Sequence, residues 1–174
     1  IVTNNSEFAQ KCQILKKNGA SKRYYNTSIG WNFKMSDINA ALGISQLKRI
    51  ESIIERKNSC AKFYDELLST IPEITVPTVR EYNKATYMLY SILIKDNKLR
   101  EKIRIGLETK GIETRINFPS MHLQPAYIEK FGDTKGSLPI SEDASERILG
   151  LPIFINMTQT DQELVVNAIK ESMN

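Results

Sequence analysis

Apolar positions along this chain change their period near residue 70. Before it they recur at helical spacing, and after it they fall mostly into short alternating runs. Residues 1–3 read as the end of a strand. Phe8, Cys12 and Leu15 then share one helical face, with Ser6 as the expected N-cap and Asn18-Gly19 as a left-handed stop. Residues 20–35 have no period. They hold Lys22, Arg23, Tyr24, Tyr25, Asn26, Trp31, Asn32 and Lys34, and a long aperiodic connection so dense in polar and aromatic groups reads as a binding loop or a disordered segment rather than a mere linker.

Ser36 is the natural cap of the next helix, with Asp37 favourable in its first turn. Ala40, Ile44, Leu47, Ile54, Ala61, Tyr64 and Leu68 stay on one face, and the pattern weakens only at Arg56-Lys57-Asn58. Unbroken, residues 36–69 would span about 50 Å at 1.5 Å per residue. A compact chain of this size is only about 40 Å across. The expectation is a helix that bends near Arg56 or bridges two bodies, and that Pro72 ends.

The second half reads as a small α+β unit. Residues 73–76 form a brief strand, and 88–94 a buried one. Leu99, Ile103 and Leu107 place a helix that Lys110-Gly111 closes. Ile112, Thr114, Ile116 and Phe118 alternate with polar residues as a half-buried strand. Residues 120–127 read as a loop and 132–139 as turns. Ser141 is the expected cap of a short helix with Ala144, Ile148 and Leu149 inward. Residues 151–154 read as extended, and Thr160 with Glu163 as a capping box for a final helix.

Composition narrows the function classes. The net charge of +4 comes from 24 basic residues scattered among 20 acidic ones, with no basic stripe, so a nucleic-acid surface is not favoured. No apolar run is long enough for a membrane span. Cys12 and Cys60 fit no metal spacing and no disulfide framework, and read as free thiols in a reducing cytoplasm. The chain starts at Ile1 rather than methionine, which fits a piece of a longer protein. His122 is the single histidine, so no His–His metal pair can form. Held between Pro119 and Pro125, it is a candidate ligand contact. Residues 30–36 offer an anion site: backbone N–H groups at a helix start, the Asn32 amide and the Lys34 cation.

The run Gly30-Trp31-Asn32-Phe33-Lys34-Met35-Ser36, followed by Asp37-Ile38-Asn39-Ala40-Ala41-Leu42-Gly43, resembles the DegT/DnrJ/EryC1/StrS family of pyridoxal phosphate (PLP)-dependent nucleotide-sugar aminotransferases. Gly111-Ile112-Glu113-Thr114, Pro119-Ser120-Met121-His122 and Leu149-Gly150-Leu151-Pro152 resemble it in the right order. The resemblance implies an α/β chain of fold type I, of which this is the C-terminal half. Residues 1–35 would be the tail of the large cofactor domain, 36–70 the connecting helix, and 71–174 the small α+β domain. It further implies a cytoplasmic homodimer with shared active sites, and an amino donor such as glutamate. Asn32 would reach the cofactor phosphate of the neighbouring subunit, and His122 would approach the substrate. The family's Schiff-base lysine would lie upstream of Ile1, so no catalytic residue is assigned and the piece alone is expected to be inactive. Lys34 stands where the family usually has arginine, which removes any bidentate contact there. Ile155-Asn156 replace a proline-containing turn. The alternatives are a non-catalytic ligand-binding or dimerisation module of the same descent, and a plain anion- or nucleic-acid-binding α+β module.

Overall fold

The computed structural model describes residues 1–173, and these fall into two units, Ile1–Ile50 and a second that starts at Glu51. In the first, α1 (Ser6–Leu15) is capped by Asn5, whose side chain accepts from the Phe8 N–H at 3.0 Å. The cap is thus one residue earlier than Ser6. Asn18 (φ 60°) and Gly19 (φ 77°) close the helix in the left-handed region, as expected. Residues 20–35 are more ordered than their lack of period implied. They contain an antiparallel hairpin of β1 (Ala20–Lys22) and β2 (Tyr25–Asn26), turned at Tyr24. Ser36 caps α2 (Asp37–Leu47) through its Oγ, which accepts from Asn39 N–H at 3.3 Å. Neither α1 nor α2 contains a buried residue. Ile38, Leu42, Ile44 and Leu47 of α2 are all more than half exposed, so apolar side chains ring the helix, a pattern of helices built to be covered.

The expected single rod is two helices. The interruption falls at Lys48-Arg49, and α3 runs unbroken over Ile50–Leu68. Arg56-Lys57-Asn58 lie in the middle of α3, where Arg56 is exposed and the half-buried Lys57 and Asn58 find acceptors in residues 85–87, so the polar run does not break the backbone. The Asn58 amide donates to Ile54 O at 2.8 Å and to Ala85 O at 2.9 Å. The boundary between compact units therefore lies inside the stretch read as the connector. Helix α3 stops four residues before Pro72, in a turn where Ile71 N–H donates to Leu68 O.

The second unit is built on an antiparallel sheet of β3 (Ile74–Thr75), β4 (Tyr90–Ile94) and β5 (Ile148–Leu151), in that order. Tyr90, Ile92 and Ile94 of β4 are fully buried, the period-two face expected of a strand with one side on the core. Helix α4 (Asn97–Thr109) is capped by the Asp96 carboxylate and packs on α7 (Gln159–Met173). Gly106 permits that approach, since a Cβ there would stand 2.0 Å from Ser172 Oγ. Tyr64 and Leu68 of α3, Ile103 and Leu107 of α4, and Val166 and Ile169 of α7 complete the core. Cys60 is buried and Cys12 half-buried, both as free thiols.

Four expectations here are corrected. Residues 112–118 form no regular strand. Only Arg115 pairs, with Gly150, through two backbone bonds of 3.0 and 2.6 Å, and Phe118 is 69% exposed. The alternating pattern was real, but only one residue finds the edge of β5. Helix α5 (Pro125–Phe131) begins inside the expected loop, with proline at its first position. Proline also starts α6 (Pro139–Arg147), so Ser141 sits within the first turn rather than capping it, while Ile148 and Leu149 belong to β5. The capping box of α7 lies two residues earlier than expected. Thr158 N–H donates to Asp161 Oδ2 at 2.9 Å, and Asp161 N–H donates to Thr158 Oγ1 at 3.1 Å.

Candidate functional site

Lys17 and Asn32 face each other in an antiparallel pair. The flanking bonds run from Asn18 N–H to Trp31 O (2.9 Å) and from Phe33 N–H to Lys16 O (3.0 Å). This makes 17 and 32 a non-hydrogen-bonded pair, the type that brings facing side chains closest. A further bond, Trp31 N–H to Leu15 O at 2.7 Å, ties the segment to the end of α1. Glycines make the closeness possible. A Cβ at Gly30 would fall 2.2 Å from Gly19 N, and one at Gly19 would fall 1.7 Å from Ser28 O. The Trp31 and Phe33 rings stack with centroids 5.8 Å apart. Asn32 is directed to the other side, exposed, and its amide has no hydrogen bond among the described residues.

In the same unit, a cleft of about 620 Å³ is lined by Lys17, Lys22, Arg23 and Lys34, with Tyr24 and Asn26. Arg23 lies over the Tyr24 ring at 5.0 Å from its centroid. No acidic residue among the described ones lines this cleft, so its four cations repel one another and an anion relieves that repulsion. The sequence singled out Lys34, Lys22 and Arg23, and the fold assembles them. Lys17 was missed, since its only sequence signal is a place beside a helix stop. Asn32 is not itself part of the lining; it stands across the strand pair from Lys17, which is.

In the second unit His122 sits on a 3₁₀ turn, Met121–Leu123, with its Nε2 2.9 Å from Glu142 Oε1. Glu142, in the first turn of α6, also accepts from Gly136 N–H at 2.9 and 3.0 Å and from Leu138 N–H at 3.2 Å. One carboxylate thus fixes both the imidazole and the turn before α6. These bonds hold its pKa below the ordinary carboxylate value. The His122 bond contributes most and the Gly136 bond next, while desolvation opposes them. Beneath the turn, the buried Ser120 donates from Oγ to Ser141 O at 3.1 Å or Ser145 Oγ at 3.0 Å. The loop carrying His122 is therefore pinned to α6. Glu142 was missed because an acid in a helix's first turn already has a local explanation. Its partner lies twenty residues away.

Among the described residues no group of three His, Cys, Asp or Glu side chains is arranged to hold a metal, and no helix is long and apolar enough to cross a membrane.

Known proteins resemble this chain along nearly its whole length. It is 35% identical over 186 residues to the uncharacterized protein MJ1066 of Methanocaldococcus jannaschii, covering 98% of this chain and 48% of that protein. It is 30% identical over 173 residues to GDP-perosamine synthase of Escherichia coli O157:H7, covering 98% and 46%. Among solved structures, Helicobacter pylori PseC, an aminotransferase of pseudoaminic acid biosynthesis, superposes with a TM-score of 0.87 at 25% identity, over 99% of this chain and 47% of that one. DesV of S. venezuelae, solved with a ketimine intermediate, gives 0.85 at 26% identity, over 99% and 46%. The α/β aminotransferase fold expected from the resemblance is thus shown, and the chain spans about half the length of the curated relatives it matches. Residues 1–170 match the DegT/DnrJ/EryC1/StrS aminotransferase family, and the chain belongs to it.

Proposed function

We propose that this chain is part of a PLP-dependent aminotransferase that moves an amino group, with glutamate as donor, onto a nucleotide-linked keto-sugar in polysaccharide or amino-sugar biosynthesis. The observation that carries the reading is the unpartnered Asn32 amide, held on a glycine-packed frame across from the cationic cleft. Free N–H donors with cations close by suit the oxygens of a phosphate, so the residues present fit PLP. Asn32 would hold the cofactor phosphate, in the active site of the neighbouring subunit of a cytoplasmic homodimer. Lys17, Lys22, Arg23 and Lys34 would neutralise phosphate charge, and His122, oriented by Glu142, would contact the substrate. The cofactor, when bound, supplies the electron sink for amino transfer. The lysine it needs would lie upstream, in the large domain to which residues 1–35 belong, with 36–70 connecting to a small domain of 71–174. The chain alone would then be inactive.

The experiment is cofactor binding by an Asn32→Ala variant of the whole protein, read from PLP absorbance. Weaker binding is expected, and unchanged affinity would refute the role of Asn32. A non-catalytic dimerisation or ligand-binding module is the second reading, favoured by the uncovered apolar sides of α2. It is preferred if the whole protein self-associates yet shows no PLP absorbance.

A further inference from the structure

Three tyrosine rings run in contact through the second unit. Tyr64 of α3 stacks on Tyr90 of β4 with centroids 5.0 Å apart, and Tyr90 meets Tyr87 at 6.1 Å. Tyr64 and Tyr90 are fully buried. Tyr87 is half-buried and lines a cleft of about 420 Å³ between α3 and residues 79–87, which connects the series to solvent. Two sulfur groups adjoin the inner end. Tyr64 Oη lies 3.8 Å from Met157 Sδ, and Cys60 Sγ lies 3.8 Å from Met157 O. Oxidisable groups thus run from the surface at Tyr87 to a buried thiol and thioether, which oxidation converts to polar products that a core tolerates poorly.

The hydroxyl partners distinguish the three rings. A phenol that loses one electron becomes a strong acid, so it is oxidised easily only where a base receives its proton. Tyr64 donates to the Pro152 carbonyl at 3.2 Å, and an amide oxygen is too weak a base for that task. The Tyr87 hydroxyl has no hydrogen bond among the described residues. Of the three, only Tyr90 donates to a carboxylate, Asp65 Oδ1, at 2.5 Å. Desolvation raises the pKa of that acid, which makes it a better proton acceptor. We propose that Tyr90 and Asp65 form a proton-coupled redox site, a sink for one-electron oxidation that spares Cys60 and Met157. Tyr90 gives one electron to a one-electron oxidant, either a radical formed on Tyr64 or an outside oxidant acting through Tyr87. Its hydroxyl proton moves to Asp65 Oδ1. A neutral phenoxyl radical and a neutral carboxylic acid result. A one-electron reductant such as ascorbate or a thiol restores the electron, and the proton returns along the same bond.

Flash oxidation of the chain by photogenerated tris(bipyridyl)ruthenium(III), followed by electron paramagnetic resonance, tests the site. A tyrosyl signal that outlasts those of the exposed Tyr24, Tyr25 and Tyr82 is expected. It should form more slowly in deuterated water, because a proton moves with the electron. Tyr90→Phe should lose the long-lived signal and gain oxidation at Met157 and Cys60, mapped by mass spectrometry. Asp65→Asn keeps an acceptor oxygen but removes the base, and should lose the signal as well. An unchanged amide spectrum away from Tyr90 shows that each variant is folded. A long-lived signal surviving in folded Tyr90→Phe or folded Asp65→Asn would overturn the site. Equal rates of formation in ordinary and deuterated water would do the same, and that comparison needs only the parent chain.

Discussion

Glu142 holds His122 by a 2.9 Å bond between Oε1 and Nε2 while also receiving the N–H groups of Gly136 and Leu138. The imidazole's orientation and the turn before α6 therefore depend on one carboxylate, and removing its charge should release both. Glu142→Gln keeps the shape but weakens charge-assisted bonds to ordinary ones. Faster hydrogen exchange at Gly136 and Leu138, with the core of β4 still protected, is the expected result. Equal exchange in the two proteins would show that the turn holds itself.

Acid should do the same reversibly. The folded pKa of Glu142 lies below its ordinary 4.5, because His122 and the Gly136 and Leu138 amides favour the carboxylate. A depressed acid contributes stability that is complete above its unfolded pKa and is lost as pH falls through the folded one. Asp161, lowered from 3.8 by the Thr158 bonds, behaves likewise at the start of α7. Asp65 opposes them, since desolvation raises its pKa. Local probes separate these effects: the protection of Gly136 and Thr158 against exchange, taken relative to the intrinsic rate at each pH, should be constant from neutral pH to about 5, and should fall below pH 4.5 at Gly136 and below pH 3.8 at Thr158.

Gly30 is under a steric requirement that no side chain meets. A Cβ would fall 2.2 Å from Gly19 N and 2.7 Å from Leu15 O, and neither backbone atom can give way without opening the strand pair. Gly30→Ala should destabilise the first unit by about 2 kcal/mol or more, the range of core overpacking. Trp31 is the only tryptophan and lies in this unit, so its fluorescence follows the affected region. A melt by Trp31 fluorescence that shifts as little as one by α7 amide signals would contradict this account.

Tyr90 donates its hydroxyl to Asp65 Oδ1 at 2.5 Å, and its ring stacks on Tyr64 with centroids 5.0 Å apart. Burial and the Asp65 bond both raise the Tyr90 pKa, so the phenol stays neutral. Tyr90→Phe keeps the stacking and leaves the carboxylate without that donor, at an expected cost of about 1–2 kcal/mol. Denaturant unfolding of the second unit measures it.

What was legible in the sequence is what local chemistry decides. The cap at Ser36, the left-handed stop at Asn18-Gly19, the buried run ending at Ile94 and the helix through Leu107 each depend on neighbouring residues. Errors arose where a distant partner or a competing start signal decided the outcome. Pro139 outcompeted Ser141 as the beginning of α6, and Thr158-x-x-Asp161 outcompeted the equally plausible Thr160-x-x-Glu163. Residues 112–118 alternate well, but strand formation needs an edge to pair with, and only Gly150 offers one. The candidate sites divide in the same way. Asn32, Lys34 and His122 stood out by residue type and local setting. Lys17 and Glu142 gained their importance from pairings across the fold.

Lys34 provides the sharpest test of the cationic cleft. Ammonium and guanidinium groups bind phosphate differently, the first as a point charge and the second as a planar fork. If the cleft formed by Lys17, Lys22, Arg23 and Lys34 receives phosphate, Lys34→Ala should weaken pyrophosphate binding about three- to tenfold, as expected for removal of one partly screened charge. Lys34→Arg should retain or tighten it by adding a second hydrogen bond. Binding should weaken with added salt in the parent and less steeply in Lys34→Ala, because fewer charges are being screened. Calorimetric titrations at two ionic strengths give both quantities. Equal affinity and equal salt dependence across the three proteins would mean that Lys34 is only a solvated surface cation.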